Sequence, residues 1–529
     1  MTDLDRRALL KAMAAASAMG LMAEGVTPAM AQQAGLKLGA PEPFTFELLK
    51  EKARRMATQP YQPPMRPAPD IVKQLNYEEW GKITFNTDEA LFADGPGQFP
   101  VTFFHLGMFF AKSVDMLVVA QGQSREIVYD QSMFNIPPDS PAHELPKGIG
   151  FAGFRLQEAR NGKLDWHNND WAAFLGASYF RAIGELYQYG QSARGIAIDT
   201  AVADRDEEFP DFTKFYIETP TDDSDTLVVY ALLDGPSVTG AYRFAMTRAK
   251  GVIMEIDHTV HLRKDVSRLG IAPLTTMYWY SETAKPMAID WRPEVHDSDG
   301  LSLWTGAGER LWRALNNPDR TTASAFSDQS PKGFGTMQRD RIFDHYIDGV
   351  YYDRRPSVWV EPQGDWGKGA VQLIEIPTDD EIHDNVVAMW VPAEPATAGK
   401  SYAFKYRQHW LAYEPFPPPL AKCVATRLGR GGQPGQPRPK GVRKFMVEFL
   451  GGPLEDLPFG VTPEPVVSTS RGQFGTYRLT EAVPDGVNGH WRTQFDLIVD
   501  GTDPVELRLY LKTGTKMLTE TWLFQYHPF

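Results

Sequence analysis

Short β-prone runs, each closed by a turn signal, recur along most of this chain. Residues 226–233 end at an Asp-Gly pair, and residues 505–512 alternate apolar and polar side chains, which is typical of a strand with one buried face. Helical periodicity is confined to residues 46–57, 171–177 and 309–315. The pattern predicts a mainly β protein built as a sandwich or barrel, and it argues against a parallel sheet wrapped by long helices.

A Pro-rich stretch of small residues divides the β pattern. We therefore predict a large N-terminal β-sandwich over residues 32–391, a linker at 392–400 and a second sandwich over 401–529. The size of the second unit suits an immunoglobulin-like domain. Within it, the Gly/Pro/Arg-rich loop 428–442 is equally compatible with an inert surface insertion and with a functional flap.

Residues 1–31 have the order of an export signal. Arg6 and Arg7 precede a weakly apolar stretch, residues 12–22, which is too short to span a bilayer. A small-x-small cleavage site follows at residues 29–31. This order is typical of a twin-arginine signal, which exports proteins that have already folded, and it predicts a periplasmic protein.

Charge and cysteine content exclude several classes of protein. The chain carries 54 Lys and Arg against 67 Asp and Glu, a net charge of −13, which disfavours nucleic acid and anionic lipid as partners. Beyond the signal no stretch reaches the ~18 apolar residues of a membrane span, so we expect no stable membrane insertion. The single cysteine, Cys423, allows no intramolecular disulfide. Gly148, Gly150 and Gly153 have the spacing of a dinucleotide-binding motif, but no helix pattern follows them and the flanking residues are typical of a strand. No zinc-ligand spacing is found, so we predict no cofactor and no metal.

Two acidic segments are accompanied by aromatic residues nearby in the sequence. Residues 295–300 contain Asp297 and Asp299, and residues 378–385 contain Asp384. Glycoside hydrolysis needs one protonated and one ionised carboxyl group that flank the sugar. Sugar rings also stack on aromatic side chains. Taken alone the signal is weak, because solvated turns or a Ca²⁺ loop produce such clusters more often.

A series of short motifs runs in order through nearly the whole mature chain. The motifs begin at Phe174, Tyr187, Ser192, Glu208, Leu269, His296, Leu315, Lys332, Arg355, Trp359, Trp366, Glu375, Asp384 and Glu520. In this order they resemble the periplasmic glucan biosynthesis protein G/D family.

The resemblance implies a galactose-mutarotase-like N-terminal sandwich and an immunoglobulin-like C-terminal domain. It implies a periplasmic role in shaping osmoregulated periplasmic glucans, whose backbone is β-1,2-linked glucose. Members of the family also look like inverting glycoside hydrolases of β-1,2-glucan. Matched motif by motif, the general acid falls on Asp384 and the general base on Asp297, which would activate water directly or through an intervening hydroxyl.

Further residues are candidates for contacts with the glucan. Asp299 is also the alternative base, because residues i and i+2 of an extended strand share a face. For the polar candidates, structural ion pairs are an equally good explanation. The candidate stacking rings are Tyr179, Tyr278, Trp279, Tyr280, Trp291, Trp304, Trp359 and Trp366, and the candidate polar contacts are Arg181, Arg194, His296, Asp299, Glu361 and Lys368.

Two other functions remain open. The chain could be a non-catalytic glucan-binding scaffold, or a transglycosylase that uses the same site, because fold alone does not decide function. The expected partner in every case is β-1,2-linked glucan. The sequence does not fix the oligomeric state, and a homodimer is one option.

Overall fold

The computed structural model describes residues 36–284, 288 and 290–528. The predicted signal segment, residues 1–31, lies outside the described residues. Within the described part of the chain, no helix is both long and apolar enough to cross a bilayer.

Strands dominate the described residues, which confirms the mainly β prediction. The predicted N-terminal helix is also present: α1 (Phe46–Met56) starts at Thr45, whose hydroxyl accepts a hydrogen bond from the Leu48 N–H. Two short helices follow, α2 (Pro69–Val72) and α3 (Tyr77–Gly81). Single 3-10 turns lie at Thr87–Glu89, Gln131–Met133, Pro141–Glu144, Phe343–His345, Tyr352–Arg354 and Gly452–Leu454.

Strands follow one another along most of the chain. The first half of the chain forms β1 (Glu42–Pro43), β2 (Thr84–Phe85), β3 (Val101–Phe104), β4 (Asp115–Ala120), β5 (Gln123–Glu126), β6 (Phe134–Asn135), β7 (Gly153–Gln157), β8 (Asp170–Leu175), β9 (Tyr179–Ala182), β10 (Ser192–Arg194), β11 (Ala197–Ile198), β12 (Asp211–Glu218), β13 (Thr226–Asp234), β14 (Val238–Arg248), β15 (Val252–Leu262), β16 (Leu269–Thr276) and β17 (Tyr278–Tyr280). The second half forms β18 (Val295–His296), β19 (Gly300–Trp304), β20 (Arg310–Ala314), β21 (Thr322–Gln329), β22 (Gly333–Met337), β23 (Ser357–Gln363), β24 (Lys368–Glu375), β25 (Val386–Pro392), β26 (Ser401–Leu411), β27 (Lys422–Arg430), β28 (Val442–Leu450), β29 (Glu464–Thr469), β30 (Gln473–Ala482), β31 (His490–Ile498), β32 (Val505–Thr513), β33 (Lys516–Met517) and β34 (Thr521–Tyr526).

Two large sheets lie face to face. Sheet A has the order β1-β5-β4-β12-β13-β14-β15-β26-β23-β22-β19-β20-β34-β32-β29, with β33 paired to β32. Sheet B has the order β21-β24-β25-β16-β10-β9-β8-β7-β3, with β11 paired to β16. Their facing rings meet in one core: Phe174 of sheet B lies 5.2 Å from Phe244 of sheet A, centroid to centroid. Smaller sheets pair β2 with β6, pair β17 with β18, and run β27-β28-β31-β30.

Two segments with helical periodicity form strands instead. Residues 171–177 contribute to β8, which pairs with β7 and β9, and residues 309–315 contribute to β20, which pairs with β19 and β34. In β8, Ala172 and Phe174 both belong to the core. The hydrogen bonds available from two flanking strands outweigh a weak local preference for helix.

The second sandwich shares strands with the first. The four-stranded sheet packs on β34, β32 and β29, and β34 continues sheet A through parallel pairing with β20. The sequence pattern placed the start of this unit at residue 401, whereas β26 lies in the middle of sheet A between β15 and β23. The chain enters the four-stranded sheet at Lys422. A strand pattern after a Pro-rich stretch indicates a strand, but not the sheet that the strand joins.

Candidate active site

Asp384 lies on the loop between β24 and β25, against two strands of sheet B. Its Oδ2 accepts hydrogen bonds from Thr275 Oγ1 of β16 at 3.2 Å and from Ser192 Oγ of β10 at 3.4 Å. The side chain is half-buried. The next residue, Asn385, fixes the loop, because its amide exchanges hydrogen bonds with both the N–H and the C=O of Tyr278. The carboxyl group is therefore held in place on one side and open on the other.

Asp297 lies between β18 and β19, and its side chain is buried. Its Oδ1 is 3.4 Å from Arg355 Nη1 and makes no hydrogen bond within the described residues. Burial raises the pKa of Asp297; the charge of Arg355 lowers it, and the charge of Asp384 raises it again. The two carboxyl groups that the sequence singled out thus lie within each other's electric field.

Three loops are joined beside this carboxylate pair. Glu381 Oε2 accepts hydrogen bonds from Arg292 Nη1 at 2.6 Å and from the Tyr352 hydroxyl at 2.5 Å. The Arg355 guanidinium lies 4.9 Å from the centre of the Tyr352 ring. These contacts tie the loop before Asp384 to the loop that carries Arg355, so both carboxyl groups have a common support.

Three more of the predicted residues surround Asp384. They are Tyr179, Arg181 and Arg194. Arg181 is exposed and donates from Nε to Ser192 Oγ at 2.7 Å. Arg194 is buried, pairs with Glu207 at 2.5 Å and stacks on the Tyr179 ring at 4.9 Å. Burial raises the pKa of Tyr179, and the nearby charge of Asp384 adds to the increase.

His296 is adjacent to Asp297 but its imidazole is enclosed. Nε2 lies 3.0 Å from Glu294 Oε2, and Nδ1 lies 3.0 Å from Gln338 Oε1. Burial would lower the pKa of His296, but the hydrogen bond and charge of Glu294 outweigh it and raise the pKa to about 9. His296 is therefore a buried imidazolium that supports the loop and has no surface for a sugar.

Asp299 does not share the face of Asp297. Its Oδ2 accepts hydrogen bonds from the backbone N–H groups of Arg339 at 3.0 Å and Asp340 at 2.8 Å. Burial raises the pKa of Asp299 to about 6, against the lowering effect of the His296 charge. The expectation of a shared face assumed a strand, whereas residues 297–299 form an irregular link between two strands.

Four of the predicted stacking rings are buried in the protein. Trp359 is completely buried among the residues that join sheet A to the second sandwich. Trp366 is 5% exposed and donates from Nε1 to the carbonyl of Lys405 at 3.2 Å. Neither ring has a face available to a glucan. Among the neighbouring aromatic candidates, Tyr278 and Tyr280 are also buried, while Trp291 is 68% exposed.

The remaining candidates contact other parts of the chain. Glu361 pairs with His409 at 2.9 Å, and Lys368 lies exposed at the start of β24. Trp304 packs beneath the Arg310 guanidinium at 3.8 Å, and Trp279 packs edge-on against Tyr280.

Sequence reasoning missed several residues that contact the carboxylate pair or support the residues that do. Ser192 and Arg355 stand in motifs that carry the family resemblance, so a signal for them existed. Glu381 stands in the acidic segment 378–385, so a signal for it existed too. Thr275 and Tyr352 gave no distinct signal, because only the folded chain brings them to this site.

One group of side chains has the composition of a metal site. The ligand atoms of Glu294, Asp340 and His345 lie within 4.8 Å of one another. Each already has a protein partner, since Glu294 bonds His296 and His345 bonds Asp340. We therefore assign no metal to this cluster.

Comparisons of the sequence with a family model and with individual proteins agree on one family. The family model described as "Periplasmic glucan biosynthesis protein, MdoG" matches residues 44–526. Glucans biosynthesis protein D 2 of Ralstonia nicotianae is 65% identical over 513 residues, covering 96% of this chain and 95% of the relative. The glucans biosynthesis proteins D of Stenotrophomonas maltophilia and Xanthomonas campestris are 49% and 46% identical, covering 94% and 99% of this chain and 92% and 98% of each relative. The names of these three relatives all identify them as glucans biosynthesis protein D. The chain belongs to the periplasmic glucan biosynthesis protein (MdoG) family.

Proposed function

We propose that this protein controls the backbone of osmoregulated periplasmic glucans by cleaving β-1,2-glucan with inversion at the anomeric carbon. The observation that supports the proposal is the pairing of Asp384 with Asp297. One carboxyl group is half-exposed and oriented by hydroxyl groups, and the other is buried beside Arg355. Glycoside hydrolysis with inversion needs two carboxyl groups in such different surroundings.

Asp384 is suited to the role of general acid. Ser192 and Thr275 both donate to Oδ2, so a proton on the carboxyl group would sit on Oδ1 and point towards the glycosidic oxygen. Transfer of that proton gives the leaving sugar its hydroxyl while the glycosidic C–O bond breaks.

Asp297 is suited to the role of general base. Its Oδ1 lies 3.4 Å from Arg355 Nη1 but makes no hydrogen bond among the described residues, so it can accept a proton from water, directly or through an intervening hydroxyl. The water adds to the anomeric carbon opposite the leaving oxygen, which inverts the configuration.

Arg355 should set the pH at which Asp297 works. Asp297 accepts a proton only when ionised, so activity falls as the pH drops through its pKa. Arg355→Gln removes the charge that lowers this pKa. We therefore expect the acidic limb of the kcat/KM profile to move to higher pH by about one unit.

Arg354→Gln is the matched control for this change. Arg354 is the adjacent exposed arginine and pairs with Asp353 at 3.7 Å. The pH profile of kcat/KM for Arg354→Gln should be the same as that of the parent protein. An acidic limb that stays in place in Arg355→Gln would contradict the assignment of Asp297 as the base.

Incubation of the purified mature protein with linear β-1,2-glucan, followed by mass analysis of the products, tests the proposed function. Shorter linear chains indicate hydrolysis. Cyclic or longer products indicate transfer to a sugar hydroxyl, which keeps the site but changes the acceptor. Binding without any new product would overturn the enzymatic proposal in favour of a glucan-binding scaffold.

A further inference from the structure

A row of side chains crosses the outer face of sheet B, starting beside Asp384. Neighbours in the row lie opposite each other on adjacent strands, and cross-strand neighbours share a face. The alternate residues Phe154, Phe174 and Phe180 belong to the core, so the row lies on the opposite face of the sheet. Its arginines are exposed to solvent, whereas its hydroxyl side chains are covered by other parts of the protein. The row runs through Thr275, Ser192, Arg181, Ala173, Arg155 and Thr102.

The row ends in a groove at the far edge of sheet B. Thr102 and Arg155 belong to the row and also line the groove. The row crosses six strands, and five spacings of ~4.8 Å place the groove about 24 Å from Thr275 along the sheet. A polymer bound at Asp384 could therefore extend into the groove, whereas a short oligosaccharide could not.

The groove has room for part of a polymer. Its volume is about 490 Å³. Sites for drug-sized molecules typically enclose about 300–1,000 Å³. The groove lies within this range, so it is large enough to hold a short stretch of a glucan chain.

The groove combines aromatic rings with polar groups. Trp80 stacks on Phe104 with centroids 6.0 Å apart, and the Arg155 guanidinium lies 4.4 Å from the centre of the Phe104 ring. The Arg155 side chain is 46% exposed, and its ion pair with Asp170 is 3.9 Å long. Asn135 is exposed at the rim. Phe104 is buried, so the half-buried Trp80 supplies the ring that matches the apolar face of a sugar. The guanidinium, amide and carboxylate groups match sugar hydroxyls.

We propose that this groove is a distal subsite that binds the continuation of a glucan whose cleaved bond lies at Asp384. The inference rests on the proposed glucan substrate. It adds a second contact region, reached across sheet B past Arg181 and Arg155, the exposed members of the row. A glucan long enough to occupy both regions should bind more tightly than one that occupies the region around Asp384 alone.

Binding measurements across a series of chain lengths test this subsite. Titration calorimetry would use the Asp384→Asn variant, to keep the ligand intact, and linear β-1,2-glucans fractionated by length. We expect Arg155→Gln in that background to weaken binding of long chains by at least about 10-fold. Affinity for the shortest chains that bind should not change. Asn135→Ala, an exposed substitution, should act in the same direction.

Arg478→Gln is the matched control. Arg478 is also exposed and also lies over a phenylalanine ring, Phe474 at 5.0 Å, but it belongs to β30 in the second sandwich. Long-chain affinity equal to the parent in both groove variants would overturn the subsite and leave the proposed function standing. A parent that binds no β-1,2-glucan of any length would overturn the proposed function, and the subsite with it.

Discussion

Asp384→Asn is expected to reduce turnover of β-1,2-glucan by at least about 10²-fold, because general acid catalysis contributes ~10²–10⁴-fold. The amide keeps the size of the side chain and can still accept hydrogen bonds from Ser192 and Thr275. It has no acidic proton for the glycosidic oxygen. Initial rates of reducing-end formation measure the loss, and thermal unfolding checks that the fold survives.

Asp379→Asn provides the control for this substitution. Asp379 lies in the same acidic loop and is exposed to solvent. Its rate should match that of the parent. If Asp384→Asn also retained the parent rate, Asp384 would not be the acid.

Asp297→Asn is expected to lose at least about 10²-fold in turnover, because the amide cannot take a proton from water. Asp299→Asn separates the two candidate bases. Its oxygen can still accept the N–H groups of Arg339 and Asp340, so we expect less than about a tenth of that loss. The opposite ranking of Asp297→Asn and Asp299→Asn would assign the base to Asp299.

Much of the fold could be predicted because strand alternation is local. Residues 505–512 alternate, and β32 buries Val505, Leu507, Leu509 and Leu511 as that pattern requires. The pairing of one strand with another, in contrast, is not determined by the local sequence. The helical periodicity of residues 171–177 and the assignment of β26 to the second sandwich were wrong predictions. The sheet that a segment joins depends on strands far away in the sequence.

The same limit applies to the candidate site. Asp297 and Asp384 are distant in the sequence, and the family resemblance, rather than spacing, paired them. Trp359 and Trp366 stand near the acidic segments in the sequence, yet large sheets need large apolar side chains between them, and both rings are buried. Arg155 gave no signal at all, because its place opposite Ala173 follows from register.

The anomeric configuration of the first product tests the central claim that Asp384 and Asp297 act as an acid and base pair in an inverting reaction. Proton NMR during the first minutes of digestion of linear β-1,2-glucan by the mature protein would follow the new reducing ends. We expect the α anomer to appear first and the β anomer to grow in later by mutarotation. A β anomer that appears first would indicate a covalent retaining mechanism, and it would contradict the roles assigned to both carboxyl groups.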